Sequence, residues 1–439
     1  MRKSLPVSAL VVLCVAALGA CGDDDSTSSA TTKASATTVA SSAAPTTAAA
    51  TTAAATTAAA TTAAPKPGPP IKIGAVLSVT GPGSSLGAQQ KNTLEMLTEQ
   101  LNAAGGFKGR KVELKVADDQ SNPDRAVEQT RALIQEFKPT AIVGASLSGS
   151  CLATKPVTQE AGVLQYCLSA ANIPTPAPLY FSAQSPLGAW IGNLPFEYFK
   201  EKGFKKIGCL ASDDASGQLT VGVLKPAAKG AGIELFTENF NIADVDVSAQ
   251  LTRLRDKGLD AMYVCTSGTG VVTVLQGMKQ LGINLPTWIG SGSASLPVAA
   301  LIKDLLPSKG VLTGGEKIQV FEALPADDPQ AKQIQAFATA YQAKFNSRPD
   351  LFAASAADAF NILLVAIEGA GEGANAAAIA KYMEDKVDYT GVQLTYNFTP
   401  EDHRGTGLSG IVVEFTDKGA FKFVKQFKTV TDYVAAGSK

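Results

Sequence analysis

Few residues in this chain have the type and spacing to do chemistry. Gly83-Ser84-Ser85-Leu86-Gly87 fits Gly-x-Ser-x-Gly, the nucleophile elbow of serine hydrolases, and Asp358 or Asp388 followed by His403 offers a carboxylate-then-histidine order. An elbow needs its serine on the sharp turn immediately after a strand. Ser85 instead lies well beyond Val79, the last strand-like residue, and no His-Gly-Gly-Gly oxyanion segment occurs in the sequence. His403 sits in the polar turn Pro400-Glu401-Asp402-His403-Arg404-Gly405, where exposure is the ordinary outcome. The same loop reads Gly81-x-Gly83-x-x-x-Gly87, a loose relative of the dinucleotide fingerprint. There Pro82 removes an amide donor, and the acidic pair Asp118-Asp119 falls far past the usual spacing of about 20 residues. His403 is the single histidine of 439 residues, which disfavours His-rich zinc sites and most His-based acid–base catalysis. No Cys-x-x-Cys spacing exists among the six cysteines, so metal binding is not expected. Neither an enzyme nor a cofactor is the expectation.

The elements that would carry a site begin only after a long leader. Residues 1–20 read as an export signal: Arg2 and Lys3, an apolar run from Leu5 to Leu18, then Gly19-Ala20. Leu18-Gly19-Ala20-Cys21 resembles the bacterial lipobox, which makes Cys21 the expected lipidation site and acyl-anchored mature N-terminus. Residues 21–70 are almost wholly Thr, Ala and Ser, closing in prolines, a composition too poor in large apolar groups to offset its ordering entropy. As a random coil this tether would span roughly 40 Å. The charge balance, 38 Lys+Arg against 39 Asp+Glu, lacks the basic excess a nucleic-acid binder uses to neutralise phosphates.

From Ile71 onward short apolar runs alternate with longer amphipathic stretches, the pattern of βα units and a parallel sheet. Strands are predicted over 71–79, 112–117, 140–144, 163–168 and 179–182. A second series covers 206–211, 233–240, 261–266, 287–290 and 311–314. Two sets of five suggest two doubly wound lobes, with a single eight-fold barrel as the competitor. Three consecutive helical stretches (329–344, 353–369, 375–384) and a β-rich tail from Val392 to Phe427 fit a barrel poorly. In open α/β sheets, ligands bind beyond the carboxyl ends of the strands.

At those strand ends the chain resembles the type I periplasmic binding proteins of the leucine/isoleucine/valine-binding family. The resembling segments are Ile71 to Ala75 with Thr80-Gly81-Pro82, Asn102 to Val112 (Asn-Ala-Ala-Gly-Gly-Phe-Lys-Gly-Arg-Lys-Val), and Ala117-Asp118-Asp119-Gln120-Ser121-Asn122-Pro123. The last also makes sense as an N-cap followed by a first-turn proline. The resemblance implies an α/β fold of two Rossmann-like doubly wound lobes joined by three hinge crossovers. The implied lobes are 71–184 plus 322–391 and 185–321 plus 392–439, with Ser185-Pro186 and Glu316 to Glu322 at crossovers. It also implies a non-enzymatic, extracytoplasmic, membrane-anchored and monomeric lipoprotein. Such a protein captures a small solute by hinge closure and hands it to the permease subunits of an ABC importer. A sensor on the same fold, signalling to another partner, is the alternative.

Carried over position by position, the resemblance places Ser148 where a serine grips a ligand carboxylate, and Ser169, Ala170 and Ala171 on the next binding loop. Leu86 takes the place of an aromatic pocket wall. Ser148 also opens a predicted helix, whose free amides and dipole favour an anion. The other lobe departs from the pattern: Ser216 and Ser267 stand for aromatics, and Gly292 stands where a carboxylate would pair with a ligand ammonium. Burying an unpaired ammonium costs several kcal/mol, so a carboxylate or amide-bearing solute is expected rather than an ordinary α-amino acid. Asp213 and Asp214, one loop away, could supply a negative partner. Cys151 in a first helical turn and Cys167 near the end of the next strand are expected to form a disulfide. Cys209 and Cys265, inside strands, are expected to be buried free thiols. Trp190, Tyr263 and Trp288 are expected in core or hinge packing.

Overall fold

The computed structural model of the protein describes residues 68–170, 177–182, 188–405, 410–427 and 429–438. Its first lobe runs β1 (Ile71–Leu77), α1 (Ser84–Ala103), β2 (Val112–Asp118), α2 (Pro123–Ala132), β3 (Ala141–Gly144), α3 (Ser148–Glu160), β4 (Leu164–Cys167) and β5 (Tyr180–Ser182). The strands form one sheet in the order β2-β1-β3-β4-β5, all pairs parallel. β1 is an interior strand covered on both faces, which is why six of its seven residues are buried and its sequence is a nearly unbroken apolar run. Asn122 caps α2, its side chain accepting from the amides of Asp124 and Arg125, and Pro123 occupies the first turn.

The second lobe runs α4 (Leu194–Glu201), β6 (Lys206–Ser212), α5 (Ala215–Ala231), β7 (Glu234–Phe240), α6 (Ser248–Arg255), β8 (Ala261–Cys265), α7 (Gly270–Gln280), β9 (Thr287–Ile289), α8 (Leu296–Ile302) and β10 (Val311–Gly315). There follow α9 (Ala331–Phe345), α10 (Leu351–Ala370), α11 (Ala376–Lys386), β11 (Asp388–Thr390), β12 (Thr395–Asn397), β13 (Ile411–Phe415), β14 (Phe421–Gln426) and α12 (Tyr433–Ser438). The second sheet has the order β14-β13-β10-β9-β8-β6-β7, antiparallel only where β13 and β14 join, so the chain is not a barrel. All ten predicted strands are present. β11, which pairs with β12 in a small hairpin, was not anticipated.

α10 is long and apolar enough to cross a bilayer, yet most of it is buried inside the protein, the usual place of a helix that is hydrophobic all round. Its later turns share a core with β1, β3 and β4, and Leu394, Tyr396 and Phe398 belong to that same cluster. Leu394, Tyr396 and Phe398 thus pack with the first sheet, whereas Val392 packs against the cluster that holds α6, α7 and α8. Ser185 and Pro186 lie outside the described residues. At the second crossover Glu316 and Gln319 form a capping box. Burial raises Glu316 well above the usual carboxylate range, although Gln393 Nε2 donates to its Oε1 at 2.8 Å.

His403 is buried rather than exposed. It stacks on Phe181, donates from Nδ1 to Tyr180 O (3.1 Å), and pairs through Nε2 with Glu384 Oε1 (3.0 Å). Asp358 is equally committed, its two oxygens accepting from the amides of Val392, Gln393 and Leu394. Asp388 is exposed on β11. Ser85 Oγ is buried with no hydrogen-bond partner, so the elements of a serine hydrolase triad are not assembled. Cys151 and Cys167 are joined, with Cα atoms 6.0 Å apart. Cys209 and Cys265 are paired as well, across adjacent strands β6 and β8, which corrects the expectation of free thiols. Tyr263 and Trp288 sit in the second-lobe core.

Candidate ligand-binding site

The carboxyl ends of β1, β3 and β4 face those of β6, β8 and β9, and the loops that follow them line a cavity of about 40 Å³ between the lobes. Of the eight carried-over positions, Leu86, Ser148, Ser169, Ala170, Ser216, Ser267 and Gly292 all line it, and Ala171 lies outside the described residues. Leu147, Ser146, Leu168, Ile191, Thr220, Thr266 and Phe352 line it too. Leu147, Leu168 and Thr266 adjoin carried-over residues in sequence. Phe352 comes from α10, which no strand-end rule reaches, and Ile191 follows Trp190, itself buried against Gly314. A roomier groove of about 450 Å³ lies elsewhere, between α1 and the edge strand β2, away from the converging loops.

The first-lobe wall is held from behind. Asp118 accepts from the amides of Val79 and Thr80 and from Thr80 Oγ1 (2.7 Å), fixing the loop after β1. Burial opposes ionisation of Asp118, but these bonds outweigh it and hold the carboxyl below its ordinary range. Ser148 Oγ and Ser169 Oγ are hydrogen-bonded at 2.8 Å. The Cys151–Cys167 bridge ties the first turn of α3 to the end of β4, and Ser169 N donates to Cys167 Sγ at 3.3 Å, so both serines hang from one crosslink. The N-cap of α3 is Leu147, whose side chain cannot accept a hydrogen bond, and the first-turn amides have no side-chain cap. This wall offers donors.

The second-lobe wall differs. Asp214 caps α5, Oδ1 accepting from Gly217 N (3.0 Å) and from Ser212 Oγ (2.6 Å), and it also takes the proton of Ser216 Oγ (2.9 Å). Asp213 faces away, toward Asn241 Nδ2. Neither aspartate lines the cavity, and among the described lining residues none is charged. Gly292 is required by close approach: a Cβ there would lie 2.2 Å from Ser267 Oγ. An acid at position 292 could therefore enter only if Ser267 moved.

The lobes touch around the cavity. Gly268, at φ +71°, packs so closely on the first lobe that a Cβ would meet Pro82 O at 2.5 Å. Leu296 N, at the start of α8, donates to Asp350 Oδ2 at 3.1 Å, and Gln89 of α1 donates to the same oxygen. Burial pushes Asp350 up to about 7 despite these bonds. A gap between two hinged sheets, walled by residues that follow six separate strands, is the arrangement of a two-lobed solute trap. The sequence model for the periplasmic binding protein matches residues 70–420, most of the chain. This chain belongs to the periplasmic binding protein family.

Leu/Ile/Val-binding protein homolog 8 of Brucella abortus is 26% identical over 64% of this chain and 71% of its own. The leucine-, isoleucine-, valine-, threonine-, and alanine-binding protein of Pseudomonas aeruginosa is 25% identical over 69% of this chain and 79% of its own. The type 1 periplasmic binding protein of Bordetella pertussis is 28% identical and superposes with a TM-score of 0.70, covering 81% of this chain and 99% of its own. The periplasmic binding protein described here is thus a solute-binding protein rather than an enzyme, in keeping with a cavity lined by hydroxyls and apolar groups.

Proposed function

We propose that this protein is the extracytoplasmic solute-capturing subunit of an ABC importer. It closes on a small carboxylate or amide-bearing solute and presents the closed form to the permease. In this reading Cys21 carries the lipid anchor, residues 21–70 are the tether, and the folded part works as a monomer. Ser148, Ser169 and the loop carrying Ala170 and Ala171 hold the carboxylate, while Leu86, Ser216, Ser267 and Gly292 complete the pocket. Closure follows from differential affinity, because only the closed state lets one solute touch both walls.

The uncapped start of α3 beside the Ser148–Ser169 pair, facing an uncharged opposite wall, carries this reading. Relatives named for leucine, isoleucine and valine favour an aliphatic acid. The occupation of position 292 by glycine argues against an ammonium group. Thermal-shift screening of the purified protein against carboxylates, amides, amino acids and aromatic acids, followed by calorimetry, tests the proposal. Carboxylates or amides should raise the melting temperature. Submicromolar leucine or valine binding, with an acid on the ammonium, would overturn the ligand class. Loss of metabolic acyl labelling in Cys21→Ala is expected if the anchor is there.

A further inference from the structure

We propose that the second-lobe wall is a hydrogen-bond acceptor tuned to an uncharged donor group, a hydroxyl or amide N–H, on the end of the solute remote from its carboxylate. Ser216 is the specificity residue and Asp214 its positioning residue. The inference rests on the carboxylate reading above and deepens it.

A hydroxyl has one proton and two lone pairs, so where its proton is spent decides what it offers a guest. Ser216 Oγ gives its proton to Asp214, 2.9 Å from Oδ1 and 3.0 Å from Oδ2. A carboxylate only accepts, so this direction is fixed. Thr220 Oγ1 gives its proton to Ser216 O at 2.8 Å. Two hydroxyls of this wall therefore present lone pairs to the cavity. Thr266, which also lines this wall, has its Oγ1 buried without a hydrogen-bond partner, a state that ordinarily costs about 1–3 kcal/mol. The opposite wall has the reverse polarity. Of the two protons in the Ser148–Ser169 pair one is used between them, leaving the other for a guest, and the α3 amides add to it. A solute with an acceptor at one end and a donor at the other satisfies both walls. The donor is neutral because no carboxylate lines the cavity: Asp214 stands behind Ser216, its Oδ1 accepting from Ser212, Ser216 and Gly217.

Calorimetric titration of the full-length protein with two matched sets tests this. One set is 4-hydroxypentanoate, 4-methylpentanoate, 4-oxopentanoate and 4-aminopentanoate. The other is 4-hydroxybenzoate, 4-methylbenzoate and 4-aminomethylbenzoate. In at least one frame the hydroxy acid should bind about ten-fold more tightly than its methyl analogue, as one well-made hydrogen bond in a closed site allows. Ser216→Ala should abolish that preference, bringing the hydroxy and methyl acids to within about two-fold of each other. Asp214→Asn keeps an N-cap but can donate to Ser216, turning that proton toward the cavity. It should cut the hydroxy preference and raise affinity for 4-oxopentanoate, a reversal that mere loosening of α5 would not produce. Equal binding of hydroxy and methyl acids overturns the inference and leaves the carboxylate reading standing. Preference for the ammonium analogues overturns the neutral donor. Absence of binding by every acid, while a non-carboxylate from the thermal-shift panel binds, removes both.

Discussion

Gly268→Ala isolates closure from folding. The added methyl meets two separate difficulties. At φ +71° an L-residue is strained by about 1–2 kcal/mol, and this strain is present whether the lobes are open or closed. The second acts only in the closed form: the new Cβ would lie 2.5 Å from Pro82 O of the other lobe, well inside van der Waals contact, and the obstacle is backbone that cannot rotate aside. Overpacking of this kind costs about 1–3 kcal/mol, which becomes a loss of about 5- to 150-fold in affinity for any solute whose binding requires closure. Gly282→Ala is the matched control, since it has φ +65° and nothing within 4 Å of its would-be Cβ. Both variants should lose similar stability in thermal melts. Only Gly268→Ala should lose affinity by calorimetry, and only it should show a larger radius of gyration by small-angle scattering in the presence of saturating solute. Were the two variants to bind alike, the contact between Gly268 and Pro82 would have no part in closure, and the argument for a trap built on that approach would fail.

Four further outcomes are expected. Leu147→Asp supplies the cap α3 lacks, so stability should rise by about 0.5–2 kcal/mol while affinity for carboxylates falls more than for neutral amides, by denaturation and calorimetry respectively. Asp350 and Asp358, both raised by burial to about 7, take up protons on folding, so their favourable contribution is complete below the ordinary value of 3.8 and is lost as pH climbs through about 7. Melting temperature should accordingly decline between about pH 4 and pH 7, with a shallower slope in Asp350→Asn. Removing the Cys151–Cys167 bridge as a double alanine variant, across a separation of 16 residues, should cost about 3 kcal/mol in denaturant titrations. The same variant should loosen the Ser148–Ser169 pair, which would register as weaker binding of carboxylates than of neutral amides.

Much of this was legible in the residues. β1 and β8 read as strands because both of their faces are covered, leaving apolar runs too short for helices. The site was legible for the same reason, since strand ends fix where loops go and Ser148, Ser169, Ser216 and Ser267 all follow strand ends. What escaped was set by contacts distant in sequence. His403 lies in a polar hexapeptide, yet Tyr180 and Phe181 of β5 and Glu384 of α11 enclose it. The hairpin at 388–397 carries too few apolar residues to announce what it covers, and Tyr396, with Phe398 just beyond it, packs in one cluster with α10. Cys209 and Cys265 sit 56 residues apart, and only the adjacency of β6 and β8 brings them together. Phe352 reaches the cavity from a helix whose N-cap, Asp350, bonds elements of both lobes.

The leucine that opens α3 has one more implication. A helix begun by a residue unable to finish it is an incomplete piece of secondary structure, stable enough because its neighbours hold it but short of its own best state. α5, across the gap, is complete in itself through Asp214. A visiting anion would do for α3 what aspartate does for α5, and part of the grip on such a visitor would be the delayed completion of the fold.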